Sequence, residues 1–320
     1  MSNQKCVLAY SGGLDTSALI PYMKEQYGYE IIAVLVDVGR MQDLDLLRER
    51  ALKAGAVDAV IADARGEFLR EFAFEALKAN ALYEGRYPLH SALSRPLIAK
   101  KMVEVARERG AKVVAHGCTA KGNDQVRIDV SVRCLDPSVK VLGPAREWNM
   151  SRPELLEYLA ARGIDLPLTK KNPYSIDENL WGRAIECGEL EDPWQAAPPG
   201  AWQATVDPRE APDEALEVVV GLEEGTPVSL DGKPMDAVAL VERLDGIAGA
   251  HGFGRVDMVE NRLVGIKSRE IYEVPGSLSL IMAHRELEDL TLTRELQHFK
   301  ASIDQRMTEL IYDGLWFSPL

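Results

Sequence analysis

Cysteine is scarce in this sequence, and basic residues are outnumbered by acidic ones. The 320 residues include four cysteines, none of them in a CxxC pair: Cys6, Cys118, Cys134 and Cys187. Scattered single cysteines argue against a disulfide-rich secreted scaffold and indicate reduced thiols. The 37 basic and 50 acidic residues give a net charge of −13. A surface this negative disfavours nucleic acid and anionic membranes as partners.

Long apolar runs are also missing. No stretch approaches the roughly 20 apolar residues that span a bilayer, and the opening MSNQKCVLAY has no signal-peptide pattern. Hydrophobic residues nevertheless make up 46% and charged residues 27%, which is enough for packed cores and a solvated surface. At roughly 150 residues per domain, the length predicts about two domains. We therefore expect a soluble, cytoplasmic, globular protein.

The first half of the chain alternates short apolar runs with helix-length segments. Strands are predicted at residues 6–10, 31–36, 57–62, 112–115 and 140–142, and helices at residues 44–54, 67–78, 97–109 and 152–162. Strands that are apolar throughout are typical of a parallel sheet covered by helices on both faces. The pattern predicts a doubly wound α/β domain over residues 1–165.

The second half has a different pattern. Five of the 17 prolines lie within residues 193–212, which predicts an extended arm there. Further predicted elements are antiparallel strands at 216–222 and 226–230, a turn at 231–232, a helix at 237–250, strands at 256–259 and 263–266, and two helices after residue 276. This order predicts an α+β domain over residues 166–320.

A glycine turn follows the first predicted strand and opens a helix. Its sequence, YSGGLDTS at residues 10–17, has two glycines that bring backbone N–H groups close to an anion. The hydroxyls of Ser11, Thr16 and Ser17 add donors, and the helix N-terminus favours negative charge. An ordinary strand-to-helix turn is the alternative. The turn lacks the lysine of a P-loop and does not match GxGxxG, which disfavours both of those classes.

The YSGGLDTS string resembles the pyrophosphate-binding motif of the N-type ATP pyrophosphatases. These enzymes cleave ATP between the α- and β-phosphates, so the resemblance implies ATP as the nucleotide and Mg²⁺ at the pyrophosphate, with Asp15 near the metal. The five histidines have no metal-ligand spacing, and no resident metal site is predicted.

Further strings resemble the argininosuccinate synthase family. They are ALYEGRY at 81–87, HGCTAKGNDQVR at 116–127, SIDENL at 175–180, VENR at 259–262 and KSREIYE at 267–273. The resemblance runs from Leu8 to the last residues. It implies a synthetase domain after the nucleotide-binding domain. It also implies a ligase that activates citrulline as an adenylate and joins it to aspartate, releasing AMP and pyrophosphate.

The resemblance also implies roles for individual residues. ATP contacts are implied for Ala9, Tyr10, Ser11, Gly12, Gly13, Leu14, Asp15, Thr16, Ser17, Val36 and Gly117. Citrulline contacts are implied for Tyr87, Asn123, Arg127, Ser175, Ala184, Glu260 and Tyr272, and aspartate contacts for Thr119, Asn123 and Asp124. Asp15, Asp124 and Arg127 are the catalytic candidates. Either Asp124 or the pyrophosphate could accept the proton that the aspartate amine releases.

Two other functions stay open on the sequence alone. One is an ATP pyrophosphatase with a different acceptor, and the other is a nucleotide-binding regulatory relative without turnover. Ala184, which stands where many family members have a citrulline-contacting serine, and Ala120, which replaces a glycine, support the second. Ala184 predicts weakened citrulline affinity. The resemblance also implies a homo-oligomer, a tetramer in the family, whose members continue beyond the position of Leu320 with an extension that reaches across subunits.

Overall fold

The structure, a computed structural model, describes residues 4–41, 43–120, 122–148, 150–164 and 173–320. The chain divides into two compact units, each assembled from separated segments. Unit 1 comprises Met1–Ala64, Arg95–Lys171 and Asp313–Leu320, and unit 2 comprises Arg65–Ser94 and Asn172–Tyr312. The domain boundary expected at residues 165–166, like Lys121 of the HGCTAKGNDQVR string, lies outside the described residues.

The described residues contain strands of two to eight residues. They are β1 Lys5–Ala9, β2 Glu30–Asp37, β3 Asp58–Asp63, β4 Val113–Ala115, β5 Lys140–Leu142, β6 Ser175–Asn179, β7 Gly182–Glu186, β8 Val220–Glu223, β9 Thr226–Leu230, β10 Lys233–Pro234, β11 Arg255–Asn261 and β12 Lys267–Glu273.

The helices are more variable in length. They are α1 Leu14–Tyr27, α2 Leu44–Lys53, α3 Arg65–Glu67, α4 Phe74–Lys78, α5 His90–Arg109, α6 Asp124–Leu135, α7 Arg152–Ala160, α8 Ala237–Ala250, α9 Pro275–Thr291 and α10 Arg294–Tyr312. A π-helical segment, Phe68–Ala73, joins α3 to α4. Within the described ranges, no helix is both long enough and apolar enough to cross a membrane.

Unit 1 is built on a five-stranded sheet in the order β3-β2-β1-β4-β5, with every pairing parallel. Its central strands are buried almost completely, and side chains such as Leu8 and Leu35 are inaccessible to solvent. Leu19, Ile20 and Met23 of α1 pack against the same core. The predicted parallel sheet flanked by helices is confirmed. Its physical reason is that strands without a polar face need cover on both sides.

Helix α7 shows how local sequence sets an element boundary. Ser151 is its N-cap, and the backbone N–H of Ser151 donates to Glu154 Oε2 at 2.6 Å, completing a capping box. Leu155 and Leu159 on the same helix are buried against Leu14 and Ala18 of α1.

Unit 2 contains two antiparallel sheets. One has the order β10-β9-β8 and the other β11-β12-β7-β6. The predicted turn at Asp231-Gly232 and the predicted helix at 237–250 are confirmed. The predicted strand at 263–266 is wrong, because Gly265 adopts φ +85° and these residues form the turn between β11 and β12.

Other elements of unit 2 depart from the prediction in smaller ways. The strand expected from residue 216 begins only at Val220. The β6–β7 hairpin was not predicted, because its strands carry many polar side chains. Residues 193–212, expected as an extended arm, contain one short 3₁₀ turn, Pro199–Ala201.

Candidate active site

The glycine turn lies between the carboxyl end of β1 and the start of α1. Gly12 adopts φ +77°, and Gly13 precedes the helix with extended backbone. A side chain on Gly12 would place its Cβ 2.4 Å from Leu47 Cδ2. Positive φ favours glycine there, and any larger residue would also displace the Leu47 side chain. The first N–H groups of α1 have no acceptor within the helix, so they are available to an anion at the turn.

Hydroxyl groups surround this turn. Ser11 Oγ lies 3.1 Å from Thr16 Oγ1 and accepts from the Gly13 N–H at 3.3 Å. The Tyr10 hydroxyl lies 3.0 Å from Ser17 Oγ within the core. Ser11 and Gly13 are exposed, whereas Tyr10 and Ser17 are buried. Tyr10 and Ser17 thus support the turn from the core side, whereas Ser11 and Gly13 are accessible to an anion.

The neighbouring strand β4 ends beside this turn. Strand order reverses between β1 and β4, and ligands of open α/β sheets bind outside the strand ends at such a point. Gly117 follows β4, and a Cβ there would lie 3.1 Å from Thr16 Cγ2. The structure therefore brings Gly117 against the glycine turn. Val36, the adenine candidate, is buried near the end of β2, which pairs with β1 on the other side.

Asp124, the first residue of α6, is held by two arginines. Arg95 donates to Asp124 Oδ2 at 2.8 Å, and Arg127 donates to Oδ1 at 2.9 Å. Burial alone would raise the pKa of Asp124, but the two guanidinium groups outweigh it and lower the pKa to about 2. Asp124 is consequently an anion throughout the physiological pH range.

The remaining candidates near α6 differ in accessibility. Thr119 is exposed, whereas Asn123 is buried. Arg127 is only 3% exposed, and a Cβ on Gly314 would lie 2.7 Å from its Cα. The side chain is therefore packed beneath the segment around Gly314, and one of its donors is committed to Asp124.

Asp15 lies in the first turn of α1 and is exposed at the glycine turn. Desolvation raises the pKa of its carboxyl above the ordinary value, and the field of Arg152 opposes that rise only in part. A cation bound at this turn would reverse the shift, and a carboxylate oxygen is the ligand that Mg²⁺ prefers. The residues present thus fit a Mg²⁺ ion accompanying a phosphate group.

In unit 2, a buried cluster gathers three of the citrulline candidates. The rings of Tyr87 and Tyr272 stack with their centroids 4.4 Å apart. The Tyr272 hydroxyl donates to Glu260 Oε2 at 2.6 Å. All three side chains are at most 3% exposed. Burial and the nearby carboxylates raise the pKa of Tyr272 well above its ordinary value, so its hydroxyl remains protonated.

Ala184 and Ser175 lie on the two strands beside this cluster. Ala184 is buried on β7 and stands directly opposite Tyr272 of β12 and Asp177 of β6. Ser175 lies at the start of β6, opposite Glu186, and is exposed. Ala184 therefore lies next to the cluster of Tyr87, Tyr272 and Glu260, called the tyrosine cluster below. Ser175 lies two residues before Asp177 on β6.

Three residues of these clusters were not predicted from the sequence. Arg95 pairs with Asp124 across α5 and α6, and Tyr312, the last residue of α10, donates to Glu260 Oε1 at 2.7 Å. Glu270 lies 3.0 Å from the Tyr272 hydroxyl. Only Glu270 had a signal in the sequence, because residues two apart in a strand share one face.

Comparison with known proteins is consistent with this geometry. The family model described as the arginosuccinate synthase N-terminal HUP domain matches residues 5–165, and the model of the arginosuccinate synthase C-terminal domain matches residues 174–320. The chain belongs to the argininosuccinate synthase family.

Individual members of the family are similar over the whole chain. The argininosuccinate synthase of Halalkalibacterium halodurans is 56% identical over 320 residues, covering all of this chain and 78% of that protein. The enzyme of Symbiobacterium thermophilum is 56% identical over 321 residues, covering all of this chain and 80% of that protein. The enzyme of Bacillus subtilis is 55% identical over 321 residues, covering all of this chain and 79% of that protein. The similarity is therefore spread over both units.

Proposed function

We propose that this protein is an argininosuccinate synthase, a ligase that joins citrulline to aspartate with ATP and releases AMP and pyrophosphate. One observation carries the proposal beyond family membership. The glycine turn after β1 and the Asn123-Asp124 segment after β4 lie at adjacent strand ends, where the strand order reverses. A nucleotide and a charged amino acid can therefore bind side by side.

ATP would bind with its phosphates at the turn. The N–H groups that open α1, with the Ser11 and Thr16 hydroxyls, would donate to phosphate oxygens, and the backbone near Val36 and Gly117 would receive the nucleoside. Mg²⁺, held by Asp15 and by pyrophosphate oxygens, would neutralise charge on the departing pyrophosphate.

The ureido oxygen of citrulline is a poor leaving group, so it must be activated first. That oxygen attacks the α-phosphorus of ATP, the bond to pyrophosphate breaks, and citrullyl-adenylate forms. The aspartate amine then attacks the ureido carbon, and AMP leaves. Holding each reactant in place makes both steps effectively unimolecular, and Mg²⁺ would add stabilisation of the developing charge.

Asp124 suits the ammonium group of aspartate, with Thr119 and Asn123 beside it. A carboxyl with a pKa of about 2 is a weak base, so Asp124 binds charge rather than accepting the proton of the attacking amine. The pyrophosphate is then the better acceptor of that proton.

Citrulline would be bound by the tyrosine cluster of unit 2. Glu260 is a partner for its ammonium or ureido N–H groups, Tyr87 and Tyr272 wall the site, and Ser175 and Ala184 flank it. The citrulline-carboxylate role expected for Arg127 and Asn123, which belong to unit 1, stays a prediction. We place the enzyme in the cytoplasm as a homo-oligomer acting on small molecules rather than on nucleic acid or membranes.

The proposal is tested by measuring AMP and pyrophosphate release from ATP with citrulline and aspartate omitted in turn. Strict dependence on both substrates is expected, with argininosuccinate as the third product. Turnover with another acceptor would identify a different pyrophosphatase. ADP as the product, or nucleotide binding without any turnover, would refute the proposal.

A further inference from the structure

The Tyr272 hydroxyl lies between two buried carboxyl groups. Its oxygen is 2.6 Å from Glu260 Oε2 and 3.0 Å from Glu270 Oε2. Glu260 is 3% exposed and Glu270 8%. A phenol carries a single hydrogen, so Tyr272 can donate to only one of them.

The Tyr272 hydroxyl donates its hydrogen to Glu260. That contact is the shorter one, and the other oxygen of Glu260 accepts from the Tyr312 hydroxyl at 2.7 Å. A carboxyl group that accepts a hydroxyl on each oxygen is stabilised in its ionised form. The contact between Tyr272 and Glu270 is then a hydrogen bond only if Glu270 supplies the proton.

The charges around Glu270 point the same way. Arg262 donates to Glu270 Oε1 at 2.7 Å and also contacts Glu186. Burial, followed by the fields of Glu260 and Glu186, raises the pKa of Glu270 to about 7, although Arg262 opposes the rise. Three carboxyl groups with Arg262 among them are best accommodated when one is neutral.

We propose that Glu270 is a protonated carboxylic acid below neutral pH, which donates to Tyr272 and so commits the Tyr272 hydrogen to Glu260. Glu270 is then a positioning residue: it touches no substrate and fixes the orientation of the Glu260 carboxylate through Tyr272. Its role in citrulline binding rests on the proposed function, whereas its protonation does not.

Protonation is tested directly by carbon NMR of the wild-type protein with labelled glutamate side-chain carboxyl carbons. Over about pH 5 to about pH 9, one resonance should titrate near neutrality, well above an ordinary glutamate at about 4.3. That resonance should disappear in Glu270→Gln. It should titrate at lower pH in Glu260→Gln, because a neighbouring negative charge is removed. If the resonance lost in Glu270→Gln titrates with the ordinary carboxyls, the proposal is overturned.

Kinetics test the positioning role. Gln donates to Tyr272 and accepts from Arg262 as the neutral acid does, whereas Ala does neither. The KM for citrulline should rise by about tenfold in Glu270→Ala and by less than about twofold in Glu270→Gln, as expected for one lost hydrogen bond to a charged group. KM values for ATP and aspartate should not change in either variant. Glu223→Gln, an exposed change on β8, is the matched control.

The outcomes separate the two proposals. If the protein uses citrulline but Glu270→Ala and Glu270→Gln have equal KM values for citrulline, the positioning role is refuted and the ligase function stands. If citrulline is not a substrate, the ligase function fails, and the NMR titration still decides whether Glu270 carries a proton.

Discussion

Replacing Asp124 by Asn should weaken both stability and aspartate binding. In the folded protein, Arg95 and Arg127 lower the pKa of Asp124 from 3.8 to about 2. At about 1.36 kcal/mol per pKa unit, this difference corresponds to roughly 2 kcal/mol of stability at neutral pH. Because the folded pKa is the lower one, this contribution is complete above about pH 4 and is lost as the pH falls towards about 2.

The measurement is equilibrium denaturation by urea at neutral pH, together with the KM for each substrate. Asp45→Asn is the matched control, because Asp45 also lies in the first turn of a helix, α2, but is exposed. An exposed carboxylate at a helix N-terminus contributes only about 0.3–1 kcal/mol, so the control should lose much less stability. Asp124→Asn should also raise the KM for aspartate and leave that for ATP unchanged. The reasoning is refuted if the two variants are equally stable and have the same aspartate KM.

Three further changes test other parts of the site. Gly12→Ala should weaken nucleotide binding by about 5- to 30-fold, measured by calorimetry, because it costs about 1–2 kcal/mol in backbone strain and brings a Cβ against the Leu47 side chain; unaltered ATP affinity would contradict this. Ala184→Ser should lower the KM for citrulline by adding a hydroxyl opposite Tyr272, and an unchanged KM would count against Ala184 as a contact. Tyr312→Phe should raise the citrulline KM by about tenfold, since Glu260 loses a donor; a KM equal to wild type would show that Tyr312 does not orient Glu260.

The sequence predicted best what depends on local patterns. Strands β1 to β5 could be placed because each is a short apolar run, and parallel strands of a covered sheet need no polar face. The N-cap of α7 could be assigned because Ser151 and Glu154 have capping-box spacing. Helix α5 was predicted from residue 97 but begins at His90, since helix boundaries depend on tertiary contacts.

Contacts between distant segments could not be predicted in this way. Nothing in the residues around Arg95 indicates that it will pair with Asp124, because the two lie on different helices. Tyr312 is 52 residues from Glu260 in the sequence, and only the fold of unit 2 joins them. The depressed pKa of Asp124 and the raised pKa of Glu270 follow from such pairings and from burial. Motifs could therefore name candidate residues but not their protonation states.

The segmented composition of the two units has a practical consequence for dissecting this protein. A gene cut near codon 165 would yield an amino-terminal polypeptide that carries Arg65–Ser94, which belong with the later part of the chain, and lacks Asp313–Leu320. Gly314 would then no longer cover Arg127. Fragments for separate study would have to be made by circular permutation or by replacing an inserted segment with a short linker, because no single cleavage point releases either half whole.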